Sequence, residues 1–306
     1  MQNLPQRTHI YQNHHFDSTR WDYFQSRDDD IVIATSYKAG TTWTQAIVAH
    51  LLFPDGNFPA PPAQMSPWLD MRIVPLEVVL NNLKSQQHRR FIKTHLPLDG
   101  VPYSEKIKYL YVARDARDVF MSLWNHYAKM KEEVVMLFNM LPGRVGDELP
   151  PAPEDIHEFW KNWISRGSFA WETDGWPYWS HLANVQSWWN FRQLPNIQLF
   201  HYGDMLADTE REVRRIAAFL GINVPEQAWD GIIKAVSFAE MKRQGELYAP
   251  GGGQLWKGGA DTFMHKGTNN RWRDVLFDEE LALYDVACKR ALTPDCREWL
   301  ENGGTI

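Results

Sequence analysis

The sequence lacks the features that mark secreted, membrane-spanning and nucleic-acid-binding proteins. Its 306 residues include only two cysteines, Cys288 and Cys296, too few for a disulfide framework or a cysteine metal site and typical of a reducing compartment. It has no run of about 18 apolar residues that could span a bilayer, and its first residues contain no apolar signal-peptide core. A formal net charge of −6 gives no reason to expect nucleic acid. We therefore expect a cytoplasmic protein without a membrane or nucleic-acid partner.

Linkers and repeats are missing as well. No Gly/Ser linker, charge block or internal repeat divides the chain, so residues 1–306 are predicted to form a single domain. Residues 1–30 are largely polar and are predicted to be a surface segment that leads to the first strand. Residues 54–70, 139–155 and 245–262 contain many prolines or glycines and are predicted to be irregular loops.

One stretch combines a strand, a loop and the start of a helix. Residues 31–34 are apolar and β-branched, which predicts a buried strand, and residues 43–53 continue at helical spacing. The polar loop between them therefore precedes a helix N-terminus, where unpaired N–H groups and the helix dipole favour an anion. The loop adds a cation, a glycine that permits close approach and two hydroxyl donors: Lys38, Gly40, Thr41 and Thr42. It is not a Walker loop, since its lysine precedes the glycine. The pattern predicts a site for a phosphate-like group.

Three further predicted strands end in polar residues. The strand predicted over residues 90–94 contains Lys93 and is followed by His95, and the strand over residues 108–113 is followed by Arg114. Ligands of open α/β sheets collect outside the carboxyl ends of the strands, so these side chains are candidates for chemistry. By position alone, a structural histidine and a salt-bridged arginine are the favoured interpretations. The fourth strand covers residues 197–202, and helices are predicted over residues 76–84, 154–164, 181–192, 208–221 and 278–290.

Four segments, in this order, resemble the motifs of the cytosolic-type (aryl/alcohol) sulfotransferases that use 3′-phosphoadenosine 5′-phosphosulfate (PAPS). The loop around Lys38 resembles the 5′-phosphosulfate loop of that family, and the string Lys93-Thr-His-Leu-Pro97 resembles the segment with the catalytic histidine. Arg114 and Ser122 match the pair that binds the 3′-phosphate, and residues 263–272 resemble the closing motif. The resemblance spans about residues 31 to 273.

The resemblance implies a fold and a reaction. The fold is a three-layer α/β/α sandwich with a P-loop-like core, around a parallel sheet of about five strands. The reaction is transfer of a sulfuryl group from PAPS to a hydroxyl, which leaves adenosine 3′,5′-bisphosphate (PAP) and needs no metal. His95 is the implied general base, and the other implied catalytic residues are Lys38, Lys93 and Ser122. The aromatic content of the loops leads us to expect a small, largely apolar phenol or alcohol as acceptor.

The resemblance also names binding residues. Those implied for the cofactor are Lys38, Ala39, Gly40, Thr41, Thr42, Trp43, Arg114, Ser122, Tyr202, Phe238, His265, Lys266 and Gly267. Val236 stands where the family has Thr beside the adenine, and His265 stands where it has Arg. Two alternatives remain open here: either His265 contacts the 3′-phosphate, or it faces solvent and Arg271 or Arg273 takes that role.

The acceptor side is less defined. Trp68 lies in a segment, residues 66–70, that resembles part of the family's acceptor pocket, although a surface aromatic fits its position equally well. The family's dimerisation pattern is not recognisable, so both a monomer and a homodimer remain open. Two other functions are also considered: a nucleotide-dependent phosphotransferase, which lacks its Walker lysine here, and a non-catalytic binder of adenosine bisphosphates, which would not need both Lys38 and His95.

Overall fold

A parallel β-sheet runs through the centre of the protein. The computed structural model describes residues 4–306, and within them the sheet has four strands: Ile31–Thr35 (β1), Phe91–Thr94 (β2), Lys108–Ala113 (β3) and Ile197–His201 (β4). Their order is β2-β1-β3-β4, and Ile31 is in register with Phe91 on one side and Lys108 on the other. All four predicted strands are confirmed.

The sheet has four strands instead of about five. A short extended segment runs along the free edge of β2, where the Lys93 N–H donates to the Pro67 carbonyl (3.0 Å) and Trp68 forms a single parallel bridge with Lys93. One bridge is too short to make a strand, and two prolines nearby, Pro62 and Pro67, limit pairing because proline has no N–H to donate.

Helices cover both faces of the sheet. The α-helices of the described chain are Thr41–Leu52 (α1), Pro62–Met65 (α2), Leu76–Ser85 (α3), Ala116–Ala128 (α4), Glu132–Met140 (α5), Ile156–Ser165 (α6), His181–Trp189 (α7), Tyr202–Ala207 (α8), Thr209–Leu220 (α9), Trp229–Ala235 (α10), Phe238–Arg243 (α11), Gly245–Tyr248 (α12), Gly259–Phe263 (α13), Asp278–Ala291 (α14) and Pro294–Asn302 (α15). Short 3₁₀ helices cover Ser18–Tyr23, Leu98–Gly100, Glu226–Ala228, Pro250–Gly253 and Arg271–Asp274. Each helix predicted from the sequence is confirmed.

Two apolar cores give the sandwich its three layers. Successive residues of a strand point to opposite faces. Val32 and Tyr111 therefore join the core that contains α4, α6, α7 and α14, while Ile33 and Val112 join the core that contains α1, α9 and α10. β1 is fully buried on both faces and each other strand is buried at all but one position, which explains their nearly continuous apolar sequence. No helix among residues 4–306 is long and apolar enough to cross a bilayer. The single domain stays a prediction.

Two expectations about irregular segments are wrong. The N-terminal segment is not a surface lead-in, because Tyr11, Phe16 and Trp21 are buried in the larger core. The glycine-rich stretch of residues 245–262 folds into α12, a 3₁₀ turn and the first part of α13. Its glycines at 251, 252 and 253 have positive φ, a conformation that other residues adopt at a cost, and this lets the chain turn sharply between the short helices.

Candidate active site

A cavity of about 370 Å³ lies at the carboxyl ends of β1, β2 and β3. Because these strands are adjacent, the loops that follow them meet there although Lys38 and Arg114 are 76 positions apart in the sequence. Almost all of the predicted site residues line this cavity: Lys38, Gly40, Thr41, Thr42, Trp43, Trp68, Lys93, His95, Arg114, Ser122, Tyr202, Phe238, His265, Lys266 and Gly267. Ala39 is the exception, since its side chain is fully buried in the core beneath the loop.

The loop between β1 and α1 presents the start of a helix to the cavity. Lys38 and Gly40 both have positive φ (59° and 111°), and Gly40 precedes the first residue of α1, Thr41. A Cβ at position 40 would lie 2.9 Å from the ring of Tyr202, so only glycine fits that backbone beside the tyrosine. No side chain caps the first turn of α1, which leaves its backbone N–H groups available to an anion.

Two lysines are surrounded by aromatic rings. The Lys38 ammonium donates to Nδ1 of His126 (3.1 Å) and lies 4.6 Å from the centroid of the Phe263 ring, while the Lys93 ammonium lies 4.6 Å from the Trp68 ring. Burial, followed by Lys93 and Arg114, lowers the pKa of Lys38 to about 7. Burial lowers the pKa of Lys93 to about 8, against the attraction of Asp70. Among residues 4–306 no carboxylate offsets the charge of Lys38 and only Asp70 attracts Lys93, so an anion in the cavity would stabilise the charged form of both.

The surroundings of His95 fix its tautomer. Its Nδ1 lies 3.0 Å from the Thr35 carbonyl, which can only accept, so Nδ1 carries the hydrogen and donates it. Burial, followed by the charge of Lys93, holds the pKa of His95 well below its ordinary value, so the ring is neutral. Its Nε2 is therefore unprotonated and carries a free lone pair. Trp68 packs edge-on against the ring, with the centroids 4.6 Å apart, and Asn184 donates to the His95 carbonyl (2.9 Å). The geometry gives a rigid, neutral base.

Arg114 ties the closing segment to the sheet. Its Nη2 donates to the Thr268 carbonyl (2.9 Å) and its Nε to the Asn269 side-chain oxygen (3.0 Å). Its guanidinium also stacks over the Tyr202 ring, 4.4 Å from the centroid. The Tyr202 hydroxyl donates to the Gly267 carbonyl (3.3 Å). The ends of β3 and β4 thus hold the segment that contains Lys266 and Gly267 against the cavity.

Three basic residues of the closing segment differ in exposure. His265 is exposed, and its Nδ1 lies 3.4 Å from the Arg271 guanidinium. Arg271 is half-buried, lines the cavity and has a buried Nε without a partner among the described residues. Arg273 is exposed and its Nε contacts the Asn270 side chain (3.3 Å). Of the alternatives left open by the sequence, the geometry places Arg271 deeper than His265 or Arg273.

Phe238 and Trp43 both line the cavity. Gly267 has a φ of 66°, and a Cβ there would lie 2.5 Å from the Phe238 ring, which remains 40% exposed. The Trp43 indole donates to the Val236 carbonyl (2.8 Å). The Val236 side chain is fully buried in the smaller core and does not line the cavity. Planar groups that can stack against Phe238 fit this geometry.

The rest of the cavity is a chamber beside His95. Trp68, the one predicted acceptor residue, lies in its wall, and its indole donates to Asp70 (2.7 Å). The other wall residues were not predicted: His15, Met71, His126, Met130, Phe138, Tyr178, Trp179, Leu255 and Trp256. His126 follows Ser122 by four residues on α4, so helical spacing alone could have identified it. The others come from segments without a recognisable pattern.

No group of three or more histidines, cysteines and carboxylates in the described part of the chain is arranged to hold a metal ion.

Comparisons with known proteins agree with this geometry. The family model described as "Sulfotransferase domain" matches residues 28–297. A glycolipid sulfotransferase of Mycobacterium tuberculosis is 32% identical over 309 residues, which cover 96% of this chain and 94% of that protein. Sulfotransferase 1A1 of Rattus norvegicus is 28% identical over 281 residues, which cover 89% of this chain and 87% of that protein. The crystal structure of mouse sulfotransferase SULT7A1 complexed with PAP has the same fold, with a TM-score of 0.70, 21% identity and 94% of both chains covered.

Proposed function

Because the chain belongs to the sulfotransferase family, whose members transfer sulfate, we propose that it transfers the sulfuryl group of PAPS to a hydroxyl of a small molecule, with His95 as general base. The observation that carries the proposal is the pairing of a neutral His95, whose Nε2 is unprotonated, with two buried lysines, Lys38 and Lys93, beside an uncapped helix start. PAP is bound in the related mouse structure, and PAPS would supply the sulfuryl group here.

His95 would accept the proton of the attacking hydroxyl. Its Nδ1–H bond to the Thr35 carbonyl keeps the ring oriented, and Nε2 takes the proton as the bond between the acceptor oxygen and sulfur forms. The bond between sulfur and the 5′-phosphate oxygen breaks, and its electron pair stays on that oxygen. The proton remains on His95 until it is lost to solvent. The low pKa of His95 favours the neutral form that this step requires.

The two lysines would stabilise the negative charge on the sulfuryl group and on the oxygen that it leaves. Lys38 would pair with the oxygen that links sulfur to the 5′-phosphate, and Lys93 with the oxygens of the sulfuryl group. Ser122, half-buried on α4, would bind the 3′-phosphate or Lys38. The remaining predicted residues would hold the nucleotide: Ala39, Gly40, Thr41, Thr42 and Trp43 at the helix start, Arg114, Lys266 and Gly267 at the 3′-phosphate, and Tyr202 and Phe238 at the adenine. Arg271 would replace His265 beside the 3′-phosphate, because it lies deeper.

The acceptor we propose is a small, largely apolar phenol or alcohol. The chamber beside His95 is lined mainly by aromatic and methionine side chains, which favour such a molecule. One relative is named a glycolipid sulfotransferase, so the test includes a glycolipid as well.

The test is transfer of labelled sulfate from PAPS to 2-naphthol, to an aliphatic alcohol and to a glycolipid, with ATP and Mg²⁺ as a parallel donor. We expect transfer from PAPS to 2-naphthol and none from ATP. Phosphoryl transfer from ATP would support the phosphotransferase instead. PAP binding without any transfer would support the non-catalytic binder, and preference for the glycolipid would overturn the proposed acceptor.

A further inference from the structure

The chamber wall contains polar atoms that the proposed reaction does not use. The Tyr178 hydroxyl and the Trp179 indole N–H are buried in this wall and have no hydrogen-bond partner among residues 4–306. Buried polar groups in native proteins are nearly always hydrogen-bonded, so these two atoms mark a polar wall, although both are covered by protein and have no surface in the cavity. His15, whose ring centroid is 5.1 Å from that of Tyr178, adds a third polar group to the same wall.

A chain of hydrogen bonds fixes the tautomer of His15. Nε2 of the neighbouring His14 lies 2.8 Å from the Pro177 carbonyl, which only accepts, so His14 carries its hydrogen on Nε2. Burial lowers the pKa of His14 to about 4 and that of His15 well below its ordinary value, so both rings are neutral. The two Nδ1 atoms are in direct hydrogen-bond contact, and His14 Nδ1 has only a lone pair. His15 therefore donates from Nδ1, and its Nε2 is a bare acceptor.

His15 and His95 line the same cavity. The Trp179 ring lies near both histidines, with its centroid 5.9 Å from that of His95 and 6.0 Å from that of His15. Stacking on Phe138, with 3.8 Å between centroids, holds the His15 ring in place. The chamber thus contains two acceptor nitrogens, on two histidine rings that lie about equally far from the Trp179 ring.

We propose that His15 determines acceptor specificity: the acceptor carries a second hydroxyl, and this hydroxyl donates to His15 Nε2 while the first is sulfated at His95. This inference rests on the proposed function and refines its acceptor to a diphenol or diol. A hydroxyl suits the site because its O–H can donate to the bare Nε2 of His15.

The experiment compares matched acceptors. Resorcinol, naphthalene-2,7-diol and 4,4′-dihydroxybiphenyl are paired with phenol, 2-naphthol and 4-hydroxybiphenyl, so that each pair differs by one hydroxyl and the series spans a range of separations. The quantity measured is the ratio of kcat/KM within each pair, after division by two for the diphenols with equivalent hydroxyls. For at least one pair we expect the parent to prefer the diphenol by about tenfold, the cost of leaving one buried acceptor unpaired.

Three variants of His15 separate its two nitrogens. His15→Gln places an amide oxygen near the Nε2 position and should keep most of the preference. His15→Asn reaches only the Nδ1 position, and His15→Phe keeps the ring without nitrogen, so both should bring the ratio close to one. Thermal unfolding and PAP binding of each variant are measured in parallel, to confirm that the ratio is compared between folded proteins.

The outcomes distinguish this inference from the proposed function. Equal kcat/KM for all three pairs in the parent, or an undiminished preference in His15→Phe, would overturn the role of His15 and leave sulfate transfer intact. Acceptor binding to the PAP-bound protein is measured by calorimetry as well. Tighter binding of a diphenol that depends on His15, without any sulfate transfer, would support His15 as its binding residue and refute the proposed function.

Discussion

The two ends of the cavity are built in different ways. At the nucleotide end, the important residues follow directly after strands of one sheet, as Lys38, His95 and Arg114 do. At the acceptor end, the wall comes from distant parts of the chain, as His15 and Trp256 illustrate. Strand ends are brought together by the sheet itself, whereas the acceptor wall depends on how the outer segments pack. A reaction site on such a fold is therefore fixed by topology, and its specificity by tertiary packing.

The two ends also differ in charge. Burial leaves Lys38 and Lys93 with pKa values of about 7 and 8, and neighbouring cations add to the effect on Lys38. Burial holds the pKa of His15 and of His126 well below the ordinary value, so these rings are neutral. The nucleotide end can therefore gain charge when an anion binds, while the acceptor end stays neutral and recognises its ligand by shape and hydrogen bonds. The following predictions test that division, from the largest expected effect to the smallest.

His95→Ala should separate chemistry from nucleotide binding. We expect kcat to fall by roughly 10²- to 10⁴-fold, the usual contribution of a general base, with PAP affinity nearly unchanged. Steady-state kinetics and calorimetry measure the two quantities. His88→Ala, a half-buried histidine that does not line the cavity, is the control. A kcat within threefold of the parent would remove His95 from the mechanism.

The difference between the nucleotide end and the acceptor end also explains which parts of the site could be predicted from the sequence. The four strands and the helices follow from apolar runs and periodicity, and the residues after β1, β2 and β3 are brought to one edge by the parallel order of the sheet. His15 and Trp179 could not be found in this way. His15 precedes the first strand by 16 residues in a segment that looks polar, and its position depends on contacts with Phe138 and with His14, which is anchored at Pro177. Such contacts leave no local pattern.

Lys38→Ala should weaken both PAP affinity and turnover, each by roughly 10- to 100-fold, because a charge-assisted hydrogen bond to the anion is lost. Lys38→Arg should not restore turnover, since a planar guanidinium does not replace a compact ammonium in a tight loop. Full recovery of turnover in Lys38→Arg would show that charge alone is sufficient at this position.

The lowered pKa of Lys38 also predicts proton uptake. With a pKa of about 7, Lys38 is charged below that pH and increasingly neutral above it. Binding of PAP favours the charged form and raises the pKa, so uptake by Lys38 should be about half a proton at pH 7 and grow above it, and affinity should fall as pH rises. Lys93, with a pKa of about 8, should add to the uptake at the upper end of the range. Calorimetry between pH 6 and 9, in buffers of different ionisation enthalpy, measures the uptake. Lys38→Arg, which stays charged, should show markedly less uptake near pH 7.5, and equal uptake would assign the proton to another group.

Arg271→Gln should reduce PAP affinity by about tenfold, because a half-buried guanidinium near Arg114 would lose its contact with the 3′-phosphate. His265→Gln, its matched control in the same segment, should change affinity by less than about twofold, since His265 is exposed. The pH profile of PAP binding should then be the same in the parent and in His265→Arg. A larger loss of affinity in His265→Gln than in Arg271→Gln would show that His265, at the position where the family has Arg, binds the 3′-phosphate.

Val236→Thr tests whether the side chain at position 236 contacts the adenine, as the family resemblance implies, or only packs in the core. The family has Thr there beside the adenine, but the Val236 side chain is fully buried in the core of α1, α9 and α10, and only its carbonyl contacts the site through Trp43. A hydroxyl placed in that core lacks good partners, so we expect unchanged PAP affinity and a free energy of unfolding lower by about 1 to 3 kcal/mol. Val112→Thr, at another fully buried position of the same core, is the control and should be destabilised by a similar amount. Denaturant unfolding and calorimetry give the two quantities. A gain in PAP affinity in Val236→Thr alone would mean that position 236 reaches the base and belongs to the nucleotide end of the cavity.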